Sequence, residues 1–420
     1  MDMTNRLFKN IPRVPRFVLF TFLFVAILSP FLANEKPLLL VQYGHVSFPA
    51  FSNNAYTQLY SETGESENIR TDNINWTEIK SDFVLRALIP YSAGKSDLAN
   101  SNFKSPFGKQ FKDMNGELSE IPFRMRHFLG TGNLGNDTLA GLIEGTRVSL
   151  IIGICSMFIA LFIGVLLGMI SGYFGNQFFK LNRAAFFTML LLLLPAWYYC
   201  FELRFTSIEN SFRDSIVFGV LNVLFSLVFS IFFIAVPVWM ISKLKLPGFL
   251  QGSVKIPVDA IVNRIIELFL SIPRIVVLIT FALIFQPSVA SVVLIIGLTS
   301  WTSIARMVRA IILSLRESNY IDAGRAIGIP TLRLFRKHIL PATYAQLRVF
   351  TIYGVASAIL AETGLSFLGI GVPPGTVTWG QLLFEGKENI SAWWLILFPG
   401  LCVFLLLASL NTLADSLEKK

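Results

Sequence analysis

The sequence predicts an all-α integral membrane protein, a polytopic helical bundle with about eight transmembrane helices. Of its 420 residues, 54% are hydrophobic and 15% are charged, and the mean hydropathy is +0.62. Several apolar runs reach the length of about 20 residues that a helix needs to cross a bilayer. Continuous apolar runs of this kind satisfy their backbone in lipid only as helices, so the predicted spans are helical.

Eight apolar runs are candidate spans. The first, Phe17–Ala33, has the position of a signal peptide, and Ala33 lies where a cleavage site would lie. Its long, Phe-rich run with Pro30 favours an uncleaved anchor, so residues 1–33 are predicted to be a cytoplasmic N-terminus and a first span. The other runs lie near Val148–Ser171, Ala185–Leu203, Ile216–Ile241, Leu268–Phe285, Val289–Leu313, Val349–Gly371 and Trp393–Leu413.

Basic residues predict the orientation, because short loops rich in Lys and Arg stay in the cytoplasm. Residues 34–146 hold 10 Lys or Arg and 13 Asp or Glu, a net charge of −3. Because the whole chain has a net charge of +9, the rest of the chain carries +12. We therefore predict that residues 34–146 form a periplasmic segment, with strands near Pro37–Val46, and that both termini are cytoplasmic. The basic surplus faces membrane lipid and a soluble partner, and no nucleic acid is expected.

The motifs of several protein classes are missing from the sequence. The three cysteines lie inside apolar runs, and the three histidines show no metal-ligand spacing. There is no GxxxxGK[ST] run, no HExxH and no GxSxG. The chain is therefore not predicted to be an enzyme, to bind a metal or to hydrolyse ATP.

Two spans carry local packing signals. Gly164, Gly168 and Gly172 recur every four residues in the second span, which lets another helix approach closely. The fifth span opens with polar residues that can pair locally, Asp259 with Asn263 and Arg264 with Glu267, and Pro273 is expected to kink it.

A predicted cytoplasmic loop, residues 319–342, has the sequence NYIDAGRAIGIPTLRLFRKHILPA. Its spacing predicts two short amphipathic helices, broken at Gly328 and stopped by Pro341, which also biases Leu340 towards extended geometry. Such an element is typical of a docking surface for a soluble partner; an amphipathic helix lying on anionic lipid is the alternative. The residues sharing each apolar face are Tyr320, Ala323 and Ile327, then Leu332, Phe335 and Ile339.

Glu362 is a carboxylate within lipid-level sequence. An isolated charge at a helix centre costs about 2.5–3.5 kcal/mol on insertion scales, so Glu362 should face the bundle interior or water. It either hydrogen-bonds a neighbouring helix or lines a translocation path, and the first alternative is favoured.

The loop resembles the EAA loop of ABC-importer permeases, with Gly324 standing where the second Ala of the triplet is usual. Further resemblance runs from His127 onwards, and it points to the oligopeptide, dipeptide and nickel family. Short stretches at residues 34–39 and 386–389 are similar to the microcin C and oligopeptide uptake permease. The resemblance assigns ATPase coupling to Tyr320, Asp322, Ala323, Gly324, Ala326, Gly328, Ile339, Leu340 and Pro341.

The resemblance implies a six-helix type I permease domain at residues 147–415 in the bacterial inner (plasma) membrane, interrupted by an inserted pair of spans at residues 176–252. Lipid-facing packing and contact with an accessory subunit are both open for the insertion. Residues 319–341 would couple two ATPase subunits, which bind the ATP, to a path shared with a second permease; a periplasmic binding protein would deliver the peptide. Peptide antibiotics and nickel chelates are alternative substrates, and a stand-alone channel or ion-gradient-driven transporter is the alternative function.

Overall fold

The fold is described by a computed structural model in two compact units. One comprises Met1–Ala160, Ile275–Ser300 and Ala345–Lys420, and the other Leu161–Arg274 and Trp301–Tyr344. The structure describes residues 12–52, 56–60, 66–70, 74, 76, 79, 81–114, 117–175, 180–214, 216–244, 252–316, 326–330, 333, 337, 340–373 and 375–418.

Helices dominate the described residues. Seven are long and apolar enough to cross a membrane, and a bent pair, Val258–Ser271 with Arg274–Ile284, makes eight if it is one span. The predicted polytopic helical bundle is therefore confirmed. In chain order the helices are α1 (Arg13–Leu32), α2 (Thr138–Phe174), α3 (Arg183–Trp197), α4 (Phe205–Asp214), α5 (Ile216–Lys243), α6 (Val258–Ser271), α7 (Arg274–Ile284), α8 (Val289–Arg316), α9 (Leu340–Phe367), α10 (Trp379–Glu388) and α11 (Trp394–Glu418).

The segment between α1 and α2 contains short antiparallel strands. The strands predicted near Pro37–Val46 are confirmed, and they pair with each other and with a third strand in the order β2-β1-β5. Two separate hairpins follow, β3 with β4 and β6 with β7. The strands are β1 (Leu39–Gln42), β2 (His45–Ser47), β3 (Tyr56–Tyr60), β4 (Ser66–Arg70), β5 (Phe83–Leu85), β6 (Phe111–Met114) and β7 (Glu117–Glu120).

The first unit has a core built around Trp379, at the start of α10. Its side chain is fully buried, and its indole N–H donates a 3.1 Å hydrogen bond to the Leu142 carbonyl of α2. Ile359 of α9 and Leu395 of α11 belong to the same buried cluster. A buried indole needs a partner for its N–H, so this bond fixes α10 against the start of α2.

In the second unit, the glycine stripe of α2 packs against α8. A Cβ added to Gly164, Gly168 or Gly172 would lie only 2.7–2.9 Å from the nearest atom of α8. The predicted close approach is confirmed, because any larger side chain would push the two helices apart.

The insertion is a helical hairpin within the second unit. Its ends are joined by β8 (Lys180–Asn182) and β9 (Ser253–Lys255), which pair antiparallel. The two predicted extra spans are helices long enough to cross a membrane, Arg183–Glu202 and Leu221–Lys243. Because the ends of the insertion lie side by side, the chain continues into α6 from close to where it left α2.

Two helix boundaries differ from what the sequence suggests. The helix that contains the second apolar run begins at Thr138, before the run starts at Val148, because the Asp137 side chain accepts a 2.6 Å hydrogen bond from the Ala140 N–H and caps the helix. Leu340, expected to be extended, is the first residue of α9, and Pro341 lies in its first turn. Proline fits there because first-turn N–H groups have no intrahelical partner.

The fifth span is broken at Pro273. Helix α6 ends at Ser271, Ile272 is extended, and α7 begins at Arg274. The sequence predicted a kink at this proline, and the structure has a complete break. Proline removes one helical hydrogen bond and restricts the residue before it to extended geometry.

Candidate functional site

The predicted coupling loop lies between α8 and α9. Ala326, Gly328, Leu340 and Pro341 fall within the described residues. The other residues assigned to coupling, Tyr320, Asp322, Ala323, Gly324 and Ile339, lie outside the described residues, so the two predicted short helices stay a prediction.

Gly328 has a backbone conformation that ends a helix. Its φ is +75°, and an added Cβ would meet no atom of the described residues within 4 Å. A left-handed φ is costly for most L-residues and ends a right-handed helix. The neighbouring Ile327 is 77% exposed. The loop therefore turns at Gly328 and presents an apolar side chain to its surroundings.

Close to the end of α8, a polar cluster ties three helices together in the second unit. Arg309 of α8 donates two hydrogen bonds to the carboxylate of Asp259 on α6, at 2.5 Å and 2.7 Å. The hydroxyl of Ser171 on α2 donates to the same carboxylate at 2.5 Å. A bidentate, charge-assisted pair of this kind fixes both position and orientation. We call Ser171, Asp259 and Arg309 the clamp.

The local pairs predicted from the sequence are also present. The Asn263 side-chain amide donates to the Asp259 carboxylate at 3.0 Å, and Arg264 lies 2.9 Å from Glu267. The sequence reasoning missed Arg309. A charged residue within an apolar helix needs a partner, and this rule applied to Arg309 in α8 would have predicted a carboxylate beside it.

Glu362 is completely buried in the first unit. The Ser149 hydroxyl of α2 donates to Oε2 at 3.1 Å, and the Ser366 hydroxyl donates to Oε1 at 2.8 Å. The Thr378 side chain, next to α10, hydrogen-bonds the same carboxylate. This is the hydrogen-bonded arrangement that the sequence favoured, and lining of a translocation path stays a prediction.

A second buried polar cluster lies in the segment before α2. The His127 ring is buried, with Nδ1 2.8 Å from the Asp137 carboxylate and Nε2 3.2 Å from that of Asp97. Tyr91 stacks on the imidazole with ring centroids 4.1 Å apart. Because Asp137 also caps α2, the cluster fastens this segment to the start of the helix.

Burial lowers the pKa of His127, but the hydrogen bonds and charges of Asp137 and Asp97 outweigh it and raise the pKa from 6.5 to about 8. Burial acts to raise the pKa of Asp97, yet its hydrogen bonds to His127 and Asn100 hold it below the usual 3.8. The cluster is therefore an imidazolium held between carboxylates at neutral pH.

The His127 cluster predicts a pH-dependent stability. A pKa raised from 6.5 to about 8 corresponds to about 2 kcal/mol, present in full below pH 6.5 and lost as pH rises through 8. We expect the melting temperature of the purified protein to fall across this window. Burial, with the charge of Glu388, also raises the pKa of Glu385 to about 7. This adds a loss of stability as pH rises to about 7, largely below the window of His127.

Substitution separates the two contributions. His127→Gln should flatten the slope of melting temperature against pH between pH 7 and 8, whereas His45→Gln, at an exposed histidine, should leave it unchanged. An unaltered slope in His127→Gln would show that the imidazole does not titrate in this range.

Part of the chain is similar to a family of transport proteins. Residues 246–420 match the family described as binding-protein-dependent transport system inner membrane component. The matched region begins shortly before α6 and includes the loop between α8 and α9, as well as Glu362.

Several proteins similar to this chain are named as peptide permeases. A putative peptide transport system permease protein of Brucella suis biovar 1 is 37% identical over 161 residues, 38% of this chain and 54% of the relative. The dipeptide transport system permease protein DppC of Bacillus subtilis is 24% identical over 300 residues, 71% of this chain and 69% of the relative. The di/tripeptide transport system permease protein DppC of Pseudomonas aeruginosa is 27% identical over 294 residues, which are 70% of this chain and 71% of the relative. The chain spans about half the length of the Brucella relative, 54%.

Proposed function

We propose that the chain is the permease subunit of an ATP-binding-cassette importer for peptides. With a second permease it forms the translocation path in the bacterial inner membrane, and both of its termini are cytoplasmic. Two ATPase subunits bind and hydrolyse ATP, and a periplasmic binding protein delivers the substrate.

The match over residues 246–420 carries this proposal. It covers both helices that flank the loop at residues 319–341, which is the part that the resemblance assigns to coupling. The names of the relatives supply peptides as the substrate class. Peptide antibiotics and nickel chelates are the alternatives that the sequence leaves open.

In this proposal the loop at residues 319–341 docks on an ATPase subunit. The exposed side chain of Ile327 supplies an apolar contact, and the open space around Gly328 lets a partner surface approach its backbone. Helices α8 and α9 then receive any displacement of the loop directly, because they are its two attachment points.

The clamp makes this transmission efficient. Arg309 lies about two turns before α8 ends at Arg316. Since Arg309 is held by Asp259, a pull on the end of α8 moves α6 and α2 with it and does not simply unwind the last turns. The clamp thus joins three helices into one element that nucleotide-driven closure of the ATPases shifts between two states.

Reconstitution tests the proposal. The full chain, with its second permease, ATPases and binding protein in vesicles, should take up a peptide only when ATP is supplied. A tagged chain should also co-purify with a P-loop ATPase from its native membrane. Solute flux through the purified chain alone, without ATP, would instead support the stand-alone channel or ion-gradient-driven transporter and would contradict the proposal.

A further inference from the structure

A cavity of about 340 Å³ lies in the first unit, where α1 ends and α2 begins. Its polar walls come from α2 and from the chain just after α1. A volume of this size is typical of sites for small molecules and headgroups. Glu144 and Arg147 of α2 are among the residues that line it.

The cavity contains one positive and one negative side chain. Arg147 Nη1 is 3.5 Å from Glu144 Oε1, and both side chains are partly exposed. The Ser29 hydroxyl of α1 donates to the other Glu144 oxygen at 2.7 Å. Among the described residues, Glu144 is the one partner of the Arg147 guanidinium, which has five N–H donors. Donors are therefore left for an anionic group in the cavity.

Helix lengths place this pair at the edge of the hydrocarbon layer. Helix α1 has 20 residues, which at 1.5 Å per residue span about 30 Å, the thickness of the hydrocarbon core. Ser29, which contacts Glu144, is in its last turn. The 37 residues of α2 span about 55 Å, so the first turns of α2 extend beyond the core. The Glu144 and Arg147 pair therefore lies at the level of the lipid headgroups.

The order of the two charges along α2 is also informative. Arg147 follows Glu144 by about one turn and so lies closer to the hydrocarbon, with its backbone about 4.5 Å deeper. In a zwitterionic phospholipid the phosphate lies nearer the hydrocarbon and the ammonium nearer the water. Arg147 is therefore at the level of the phosphate, and Glu144 is at the level of the ammonium.

Apolar side chains continue below the cavity on the same helix face. Ile151 and Ile154 follow Arg147 at i+4 and i+7, and they are 44% and 52% exposed. Acyl chains that extend from a phosphate on Arg147 would lie along this face.

We propose that this cavity binds a phospholipid with a primary-ammonium zwitterionic headgroup, of the phosphatidylethanolamine type. The phosphate accepts hydrogen bonds from Arg147, and the ammonium donates to Glu144. The pair has no net charge, so a headgroup that carries only a negative charge leaves Glu144 unfavourably close to it. A trimethylammonium headgroup has no N–H to donate.

Native mass spectrometry of the full chain in detergent tests the proposal, with phosphatidylethanolamine, phosphatidylcholine and phosphatidylglycerol added at matched concentrations. We expect phosphatidylethanolamine to bind best. Arg147→Gln should weaken its binding by about tenfold, the effect expected for loss of a charge-assisted hydrogen bond. The double variant Glu144→Arg with Arg147→Glu keeps the net charge but inverts the order of the charges, and it should weaken binding as much.

The control is a second i,i+3 pair of the same residue types, Arg264 with Glu267. The swap Arg264→Glu with Glu267→Arg should leave lipid binding unchanged. Arg147→Gln, which introduces no new charge, covers the case in which the inverted pair fails to fold.

Three results would overturn the proposal. One is equal binding of all three lipids by the wild-type chain. Another is wild-type binding by the charge-inverted variant. The third is displacement of the lipid by a free zwitterionic dipeptide, which would make the cavity a site for the ends of a peptide. None of these measurements uses ATPase subunits, so the outcome is independent of the proposed transport function.

Discussion

Gly328→Asp is expected to abolish substrate-stimulated ATPase activity in the reconstituted complex while leaving membrane insertion intact. No atom of the part of the chain that the structure describes lies within 4 Å of the Cβ position, and aspartate tolerates the left-handed φ of +75° better than most residues. The isolated chain therefore accepts the side chain. Burying its carboxylate without a partner under an ATPase subunit costs about 3 kcal/mol or more, a factor of at least about 100 in affinity.

Two further variants test whether the loss of ATPase stimulation comes from a charge at this position of the chain. Gly44 has nearly the same geometry, with φ of +80° and no atom within 4 Å of its Cβ position, but it lies in the turn between β1 and β2. Gly44→Asp should leave the ATPase activity at the wild-type level. Gly328→Ala, which introduces strain without charge, should have an intermediate effect. Normal stimulation in Gly328→Asp would remove the coupling role from this loop.

Glu362→Ala is expected to destabilise the folded protein by about 3 kcal/mol, because it leaves a cavity and removes the acceptor of three buried hydroxyls. Those hydroxyls belong to Ser149, Ser366 and Thr378. Glu362→Gln keeps the shape and one acceptor oxygen, so it should cost about 1 kcal/mol or less. The melting temperature of the purified chain measures both effects.

Transport assays separate the two roles considered for Glu362. If its buried hydrogen bonds are its whole function, Glu362→Gln transports cationic and neutral peptides in the wild-type ratio, and this is the expected result. A selective loss of cationic peptides would instead place Glu362 in the translocation path. Glu267→Ala, at a carboxylate that is 61% exposed, is the control, and it should change the melting temperature little.

Much of the fold could be predicted from the sequence because the relevant signals are local. A long apolar run determines a span, and Pro273 ends a helix wherever that helix packs. The glycine spacing in α2 predicted a close helix contact correctly. The boundary at Thr138 was missed because it depends on the cap at Asp137, and no apolar periodicity reports a cap. Pro341 was taken as a stop because a proline between two helical patterns suits the end of one and the start of the next equally well.

The sequence by itself determined that the chain is a polytopic helical membrane protein and that its insertion is helical, since both follow from hydropathy. Only the tertiary structure decided which polar groups meet. Asp259 hydrogen-bonds Arg309, which is 50 residues away in the sequence, and Glu362 hydrogen-bonds Ser149 at a separation of 213 residues. Periodicity shows which face of a helix is polar, but not which neighbour that face meets. The partners are therefore fixed by helix packing, where burying an unpaired charge in a membrane protein is too costly to persist.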